Sequence, residues 1–441
     1  MIYFMPPKSN FRVIPALFLL CLITFLVGVQ VGSGDKSNWP SWVSKISNYS
    51  QNKSQTQSVQ NSPQTAKDLG NFWQVWDLIH NDHIDRATFE DQAFIDGAIK
   101  GMVEGAGDPY TVYLPVEKNV QFNESLSGRY SGIGAELGME ADQLLIVTPI
   151  DDTPAFNAGL LAGDLILEIN GEPTQNLSIP DAVKKIRGEA GTSVKLKILH
   201  KADGSQPQDV TITRSDITIK SVKFDQERLA KSSGSGESAA DFTKEGIAYI
   251  RMSRFGDDSV SEWNLAVNKA LADTRSLKAV ILDLRNNPGG YLNVAIELGG
   301  DFVGKGTPIV IQENSDGTRN SFTSNGQGRF INVPVIVLVN EGSASASEIL
   351  AATLREDRTD VTLVGKKTYG KGTVQEKKDL PDGSGVNITV AKWLTPKGTW
   401  VHKVGIMPDV EVTLTPEDIT AQRDTQLMKA LEIARGKIAG K

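Results

Sequence analysis

The segment "VPVIVLVN", residues 333–340, constrains the fold more than any other stretch of the chain. Its residues are apolar at odd and even positions alike, so a strand built from it must be covered on both faces. That places it centrally in a partly parallel sheet sandwiched between helices. "EGSASASEILAA" (341–352) follows with helical character and opens on three serines two apart, Ser343, Ser345 and Ser347. A short turn from a buried strand into a helix exposes a residue at the sheet's C-terminal edge and aims helix N–H groups at it. Such a turn suits a nucleophile and an oxyanion, and it equally suits three helix caps.

Neighbouring segments extend the α/β pattern: "GIAYIRMSRF" as a strand, "DSVSEWNLAVNKALAD" as an amphipathic helix, "KAVILDL" as a buried strand, then "RNNPGG" and the helix "YLNVAIELGGDFV". With 441 residues the chain is too long for one ordinary domain. A net charge of -7 from 46 basic and 53 acidic residues is mild and well mixed, which leaves no nucleic-acid footprint.

The amino-terminal end is a different material. "VIPALFLLCLITFLVGV", residues 13–29, is an uncharged apolar run of 17 residues preceded by Lys8 and Arg12. It is near the lower limit for a bilayer-spanning helix, and the basic flank keeps the start of the chain in the cytoplasm and everything after the run outside. The expected location is the cell envelope, on the extracytoplasmic face, with residues 1–32 anchoring the chain in the plasma membrane. A cleaved signal peptide is the competing reading, since "QVGSG" offers small residues after the run. Cys21, the single cysteine, lies inside the run, so the exported part makes no internal disulfide and uses neither a catalytic thiol nor cysteine-ligated metal.

Residues 33–66, rich in Ser, Gln, Asn and Lys, form a flexible linker. Residues 67–123 make a helical region, with Phe72, Val75, Trp76 and Ile79 on one face and Phe94, Ile95, Ile99 and Met102 on another. His80 and His83 have a metal-like spacing but no third ligand in a zinc pattern, so no metal is expected there. Over 124–222 the period changes to short alternating runs, "LLIVTPI" and "SVKLKILH", with a turn at Asn170-Gly171 and one helix, "SIPDAVKKIRG". This order resembles a PDZ domain. The resemblance implies a peptide-binding loop over Ser131, Gly132, Ile133, Gly134 and Ala135, whose backbone N–H groups receive a peptide's C-terminal carboxylate beside a strand from Glu136 to Met139. A β-sandwich with a glycine turn is the plainer alternative. "ERLAKSSGSGESAADFTKEG", about 227–246, reads as a loop or linker ahead of the α/β pattern inside the core region (223–415), and 416–441 as a C-terminal helix.

A serine nucleophile needs a base, and none of the four histidines lies near the three serines in sequence. "VTLVGKKTYGKGTVQEK" holds G-x-x-x-x-G-K from Gly365 to Lys371, but Gly372 stands where a Walker motif needs Ser or Thr, so nucleotide binding is set aside. A lysine, ordinarily titrating at about 10.4, becomes a usable base when burial lowers that value. In an extended segment Lys371, Thr373 and Gln375 project to one side, where Gln375 could orient the amine.

Taken together, "GDPYTVYL", "FNESLSGRYSGIGAELGM", "ILDLRNNPGGYL", "LVNEGSASASEI", "GKKTYGKGTVQ" and "WLTPKGTWVHKVGIMPDVEV" resemble the carboxyl-terminal processing (tail-specific) proteases over about residues 68–415. The resemblance implies a multidomain α/β (α+β) chain: a helical N-terminal region, a PDZ-like module and a mixed-sheet α/β serine protease core of ClpP/crotonase-like type. It makes Ser345 the nucleophile, Lys371 the general base, Gln375 its support, and Ser343 and Ser347 structural. It draws oxyanion donors from Ala346 and from Gly289 or Gly290, and it requires no cofactor. Arg187, at the end of the module's helix, is placed to reach a substrate carboxylate or the core, with the module gating activity. Substrates would be proteins or peptides with accessible C-termini, and a homodimer through the terminal helices is a further implication. Two other readings stay open: a membrane-tethered peptide adaptor with an inactive protease core, and a serine hydrolase acting on esters. Between the serine and lysine motifs "LREDRTDVTLVG" is one residue longer than the family pattern, an insertion a helix-to-strand loop absorbs.

Overall fold

The computed structural model describes residues 69–440 apart from 151, 201–205, 233–236, 275, 416, 419–420 and 422. The apolar run at 13–29 and the linker at 33–66 lie outside the described residues. Among those described, no helix is long and apolar enough to cross a membrane.

Two units partition by their internal contacts, one ending at Asp91 and the other running from Gln92 to the C-terminus. In the first, a helix spans Gly70–Asp82, with Trp76 stacked on His80 one turn later. The helix has no buried residue, and Phe72, Trp73, Val75 and Leu78 are exposed. His80 bonds Trp76 O and Asp91, while His83 accepts from the Asp85 N–H.

In the second unit the Val335–Val339 strand is wholly buried and central, as its two-faced pattern requires. Its sheet runs in the order Val222–Phe224, Ile247–Met252, Ala279–Asp283, Val335–Val339, Val361–Gly365, Val410–Glu411, parallel throughout except at the first pair. One face packs Trp263, Phe302, Phe330, Ile349 and Leu350, and the other packs Leu229, Phe242, Leu427, Leu431 and Ala434. The last three belong to the Thr425–Ala439 helix, so the C-terminal helix spends its apolar face on its own chain. Arg285 fixes that helix: its guanidinium pairs with buried Asp283 and with Asp424 at the helix N-cap.

A second, antiparallel sheet joins Thr373–Asp379, Gly385–Leu394, Pro308–Asn314 and Arg319–Thr323 with Val112–Leu114, a strand donated by the helical region. Residues 227–246, expected as a linker, instead carry the helices Gln226–Ser232 and Ala239–Glu245, because Leu229 and Phe242 are buried in the core.

The β-rich module is a six-stranded antiparallel sheet with the Ile179–Ile186 helix packed on it, around Ile146, Ile166, Leu196 and Ile198. The chain enters it through Arg129–Gly132 and leaves through Ser215–Thr218, and these two segments pair antiparallel as a ribbon. At its base the Ile219 N–H bonds Gly128 O at 2.8 Å.

Candidate active site

The three serines are distinguished by what their hydroxyls do. Ser343 Oγ donates to Leu284 O at 2.8 Å, and Ser347 Oγ donates to Asn287 O at 2.8 Å; both side chains are fully buried. They staple the serine turn to the "RNNPGG" turn. Among the described residues no carbonyl holds Ser345 in this way, and it is only half-buried. Ser345 is the N-cap of the Ala346–Asp357 helix with φ 55° and ψ -116°. A left-handed serine costs on the order of 1–3 kcal/mol, a strain that clusters at functional turns.

Asn287 organises the facing turn. Its Nδ2 donates to Met252 O at 2.9 Å, its Oδ1 accepts the Gly289 N–H at 2.9 Å, and its carbonyl accepts the Ala344 N–H at 3.0 Å. Gly289 has φ 99° and lies so close to the serine turn that a Cβ would meet Ser345 Cβ at 2.8 Å and Ala346 N at 2.9 Å. With the Gly289 N–H taken by Asn287, Gly290 is left as the turn's candidate donor beside Ala346.

Glu348 joins the serine to the lysine. Its buried carboxylate accepts four bonds: the Ser345 N–H (2.9 Å) and Lys371 N–H (2.9 Å) on Oε2, and Thr368 Oγ1 (2.5 Å) and the Gly370 N–H (2.7 Å) on Oε1. "SASE" is an S-x-x-E capping signature, so a signal for this residue was present in the sequence, though not for its second task.

Lys371 is anchored by its backbone, with its carbonyl accepting Trp393 Nε1 at 2.6 Å. Burial pushes its amine below the ordinary lysine range, against the opposing charges of Asp108 and Glu348. The amine stands 5.3 Å from the centre of the Tyr110 ring, and among the described residues it shares no hydrogen bond with Ser345 Oγ. Burial and a bond with Tyr369 push the Tyr110 hydroxyl up to about 12, so it stays protonated. Burial would raise Asp108, yet bonds from Thr111 and Thr389 hold its carboxyl below the usual range. Neither Tyr110 nor Asp108 was assigned a role from the sequence.

Gln375 lies on the Thr373–Asp379 strand just past a bulge, and its amide nitrogen donates to Thr373 Oγ1 (2.9 Å) and Thr389 Oγ1 (3.0 Å). The expected bond from Gln375 to the Lys371 amine is not formed in this arrangement, since the bulge shifts the alternation that put the two on one side. His402 is the histidine that the fold brings near: it stacks on Trp400 and meets the Tyr110 ring edge at 5.8 Å.

In the β-rich module, Gly132, Ile133, Gly134 and Ala135 line a cleft of about 90 Å³ with Tyr130, Leu137, Ile186 and Arg187. Ser131 lies in the entering strand of the ribbon. The Ile133 and Gly134 carbonyls turn inward onto the Ala155 and Ile150 N–H groups. Gly134, at φ 78°, admits no Cβ because Thr153 would be met at 2.4 Å. Arg187 lies 4.6 Å over the Tyr130 ring and pairs with Glu124 of the preceding Val116–Ser127 helix.

A parallel sheet whose serine turn faces a glycine turn, beside a module with a cleft at its glycine loop, is the arrangement of a PDZ-containing serine peptidase, and the comparisons with known proteins show that class. Residues 246–412 match the model of peptidase family S41, residues 145–199 that of the PDZ domain, and residues 29–118 that of the activating protease CtpB N-terminal domain. The chain is 36% identical over 340 residues to the carboxy-terminal processing protease CtpA of Bacillus subtilis (strain 168), covering 77% of this chain and 68% of that one. It is 34% identical over 358 residues to CtpB of the same organism, covering 80% and 70%. An S41 protease structure from Bacteroides fragilis shares the fold at TM-score 0.51 and 17% identity, over 79% of this chain and 91% of that one. The chain belongs to the carboxy-terminal processing proteases of peptidase family S41.

Proposed function

We propose that the chain cleaves the C-terminal regions of extracytoplasmic proteins with a Ser345–Lys371 dyad. The observation that carries the reading is the Glu348 carboxylate, which binds the backbone N–H of both residues and so holds nucleophile and base on one rigid bracket. Lys371 swings from Tyr110 to Ser345 Oγ, takes the hydroxyl proton as Oγ attacks the scissile carbonyl, and returns it to the leaving amine. Water, deprotonated by the same amine, then cleaves the acyl ester, and the proton goes back to Ser345 Oγ. Ala346 and Gly290 N–H groups receive the oxyanion, each such donor being worth about 3 kcal/mol. Gln375, four residues on with its amide nitrogen held by Thr373 and Thr389, would support the amine through its side-chain oxygen only in the swung position. An adaptor with an inactive core would have no use for an amine kept easy to deprotonate. Purified enzyme should hydrolyse unfolded and tail-bearing substrates, and Ser345→Ala should lose this wholly while keeping tail binding. Retained hydrolysis in that variant refutes the dyad.

The PDZ module supplies tail selection and gating. Arg187 is committed to Glu124 without substrate, and a substrate carboxylate in the cleft competes for it. A mere tether changes KM alone, whereas a gate changes kcat as well. We expect peptides with a free C-terminal carboxylate to show a higher kcat than amidated ones, and Arg187→Ala to erase the difference. Equal kcat in all four combinations, with only KM moving, leaves the module a tether.

The envelope location rests on the basic flank of residues 13–29. Protease added to intact spheroplasts should digest the chain beyond residue 33 and spare residues 1–12. Protection of the body of the chain would reverse the orientation.

A further inference from the structure

The loop from Ser253 to Asp258, between the Ile247–Met252 strand and the Ser259–Asp273 helix, touches the PDZ ribbon on one side and the glycine turn on the other. Toward the ribbon, the Arg254 guanidinium donates to Ile219 O, the Ser253 N–H bonds Ser221 O at 2.8 Å, and Asp258 pairs with Arg129 at 2.7 Å. Gly128, at the ribbon's base, has no room for a side chain because Arg254 fills the space. Toward the site, the Phe255 N–H bonds Gly289 O at 2.8 Å and the Tyr291 N–H bonds Phe255 O at 2.8 Å, so Phe255 brackets Gly290. Gly290 is pressed onto it: a Cβ there would meet Phe255 O at 2.1 Å.

Adjacent residues of one loop therefore hold the module's stalk and the oxyanion turn. Arg254 is also incompletely satisfied. Its Nε is buried without a partner among the described residues, while Asp257, Asp258 and Glu262 supply negative charge around it. A half-buried guanidinium with an unused, buried Nε donor and nearby carboxylates has a second arrangement within reach when the ribbon moves. Displacement of a 2.8 Å backbone contact beside Gly290 is enough to misplace its N–H, and loss of one oxyanion donor costs about 100-fold or more in kcat.

We propose that Arg254 is a positioning residue that couples the attitude of the PDZ ribbon to the Gly290 oxyanion donor through the Ser253–Asp258 loop. The proposal rests on the gated serine-peptidase reading above. Its test uses the full chain and peptides with free or amidated C-termini. Arg254→Ala should lower kcat on the free-tail peptide about 10-fold or more, toward the amidated value. Affinity for a free-tail peptide, measured by calorimetry in the Ser345→Ala background, should stay within about 3-fold of wild type, since no cleft contact is lost. Arg254→Lys, which keeps the positive charge, should recover part of kcat. Arg129→Gln, at an exposed pair that adds little to stability, should lower the free-tail kcat less but in the same direction. A merely structural role would lower Tm and both peptides' rates together and leave their ratio intact. A wild-type ratio above one that survives Arg254→Ala overturns this proposal alone; a wild-type ratio of one overturns the gate and this proposal with it.

Discussion

Lys371→Ala abolishes turnover, by about 1,000-fold or more in kcat, because without a proton acceptor the serine hydroxyl is scarcely nucleophilic. His402, although brought near Tyr110, stacks on Trp400, and among the described residues no hydrogen bond links it to Ser345, so His402→Gln keeps most of the activity. In wild type, kcat/KM rises with pH as Lys371 loses its proton and levels off below the ordinary lysine value of about 10.4. Burial and Lys403 hold His402 below the ordinary histidine value of about 6.5, so a rise centred below that value that disappears in His402→Gln would transfer the base role to histidine. The same depression has a stability sign. Burial lowers the folded-state value of Lys371, so between it and about 10.4 the unfolded chain binds the extra proton and stability rises with pH. Lys371→Met therefore melts higher than wild type at neutral pH, and its advantage shrinks as pH approaches that of the unfolded lysine. Thermal scans from pH 7 to pH 10 check it; a constant advantage would show that the buried charge is not its source.

Glu348→Gln is the second large effect. The substitution keeps shape but puts an amide NH₂ where a carboxylate oxygen accepts, and both oxygens each face two donors. Whichever way the amide turns, a donor meets donors, and unsatisfied buried groups cost about 1–3 kcal/mol each. We expect kcat to fall about 100-fold, because Ser345 and Lys371 lose their common bracket, with KM little changed because Glu348 lies beneath the turn and not in the substrate's path. A variant that loses KM and keeps kcat would make Glu348 a binding determinant. Glu348→Ala serves as the harsher control, removing the bracket and leaving a cavity.

These residues show what was readable in one dimension and what was not. The Val335–Val339 strand, the helices on either side and the module's alternating strands all followed from local period, which survives in a linear pattern. Ser345 did not stand out from Ser343 and Ser347 by pattern; the family motif selected it, and the flanking hydroxyls bonding to Leu284 and Asn287 give the physical reason. Glu348 was hidden by its own ordinariness as a capping residue. Tyr110 and Asp108 lie some 260 residues before Lys371, and no periodicity carries a contact across that separation. Gln375 was placed by strict alternation, which the bulge at Val374 and Gln375 breaks. The segment at 227–246 looked like a linker because its polar residues outnumber the two buried apolar ones that fold it.

The base of the PDZ ribbon has a consequence for engineering. Gly128 and Ile219 are joined by a backbone hydrogen bond, so the chain leaves the core and returns to it at one point. Everything between is a cassette on a stalk, and a short turn would close the gap with little loop entropy. No module strand belongs to either core sheet, so removal or exchange of the cassette breaks no strand pairing of the core. Evolution or a designer can therefore give this cutting machine a different reading head without rebuilding the blade.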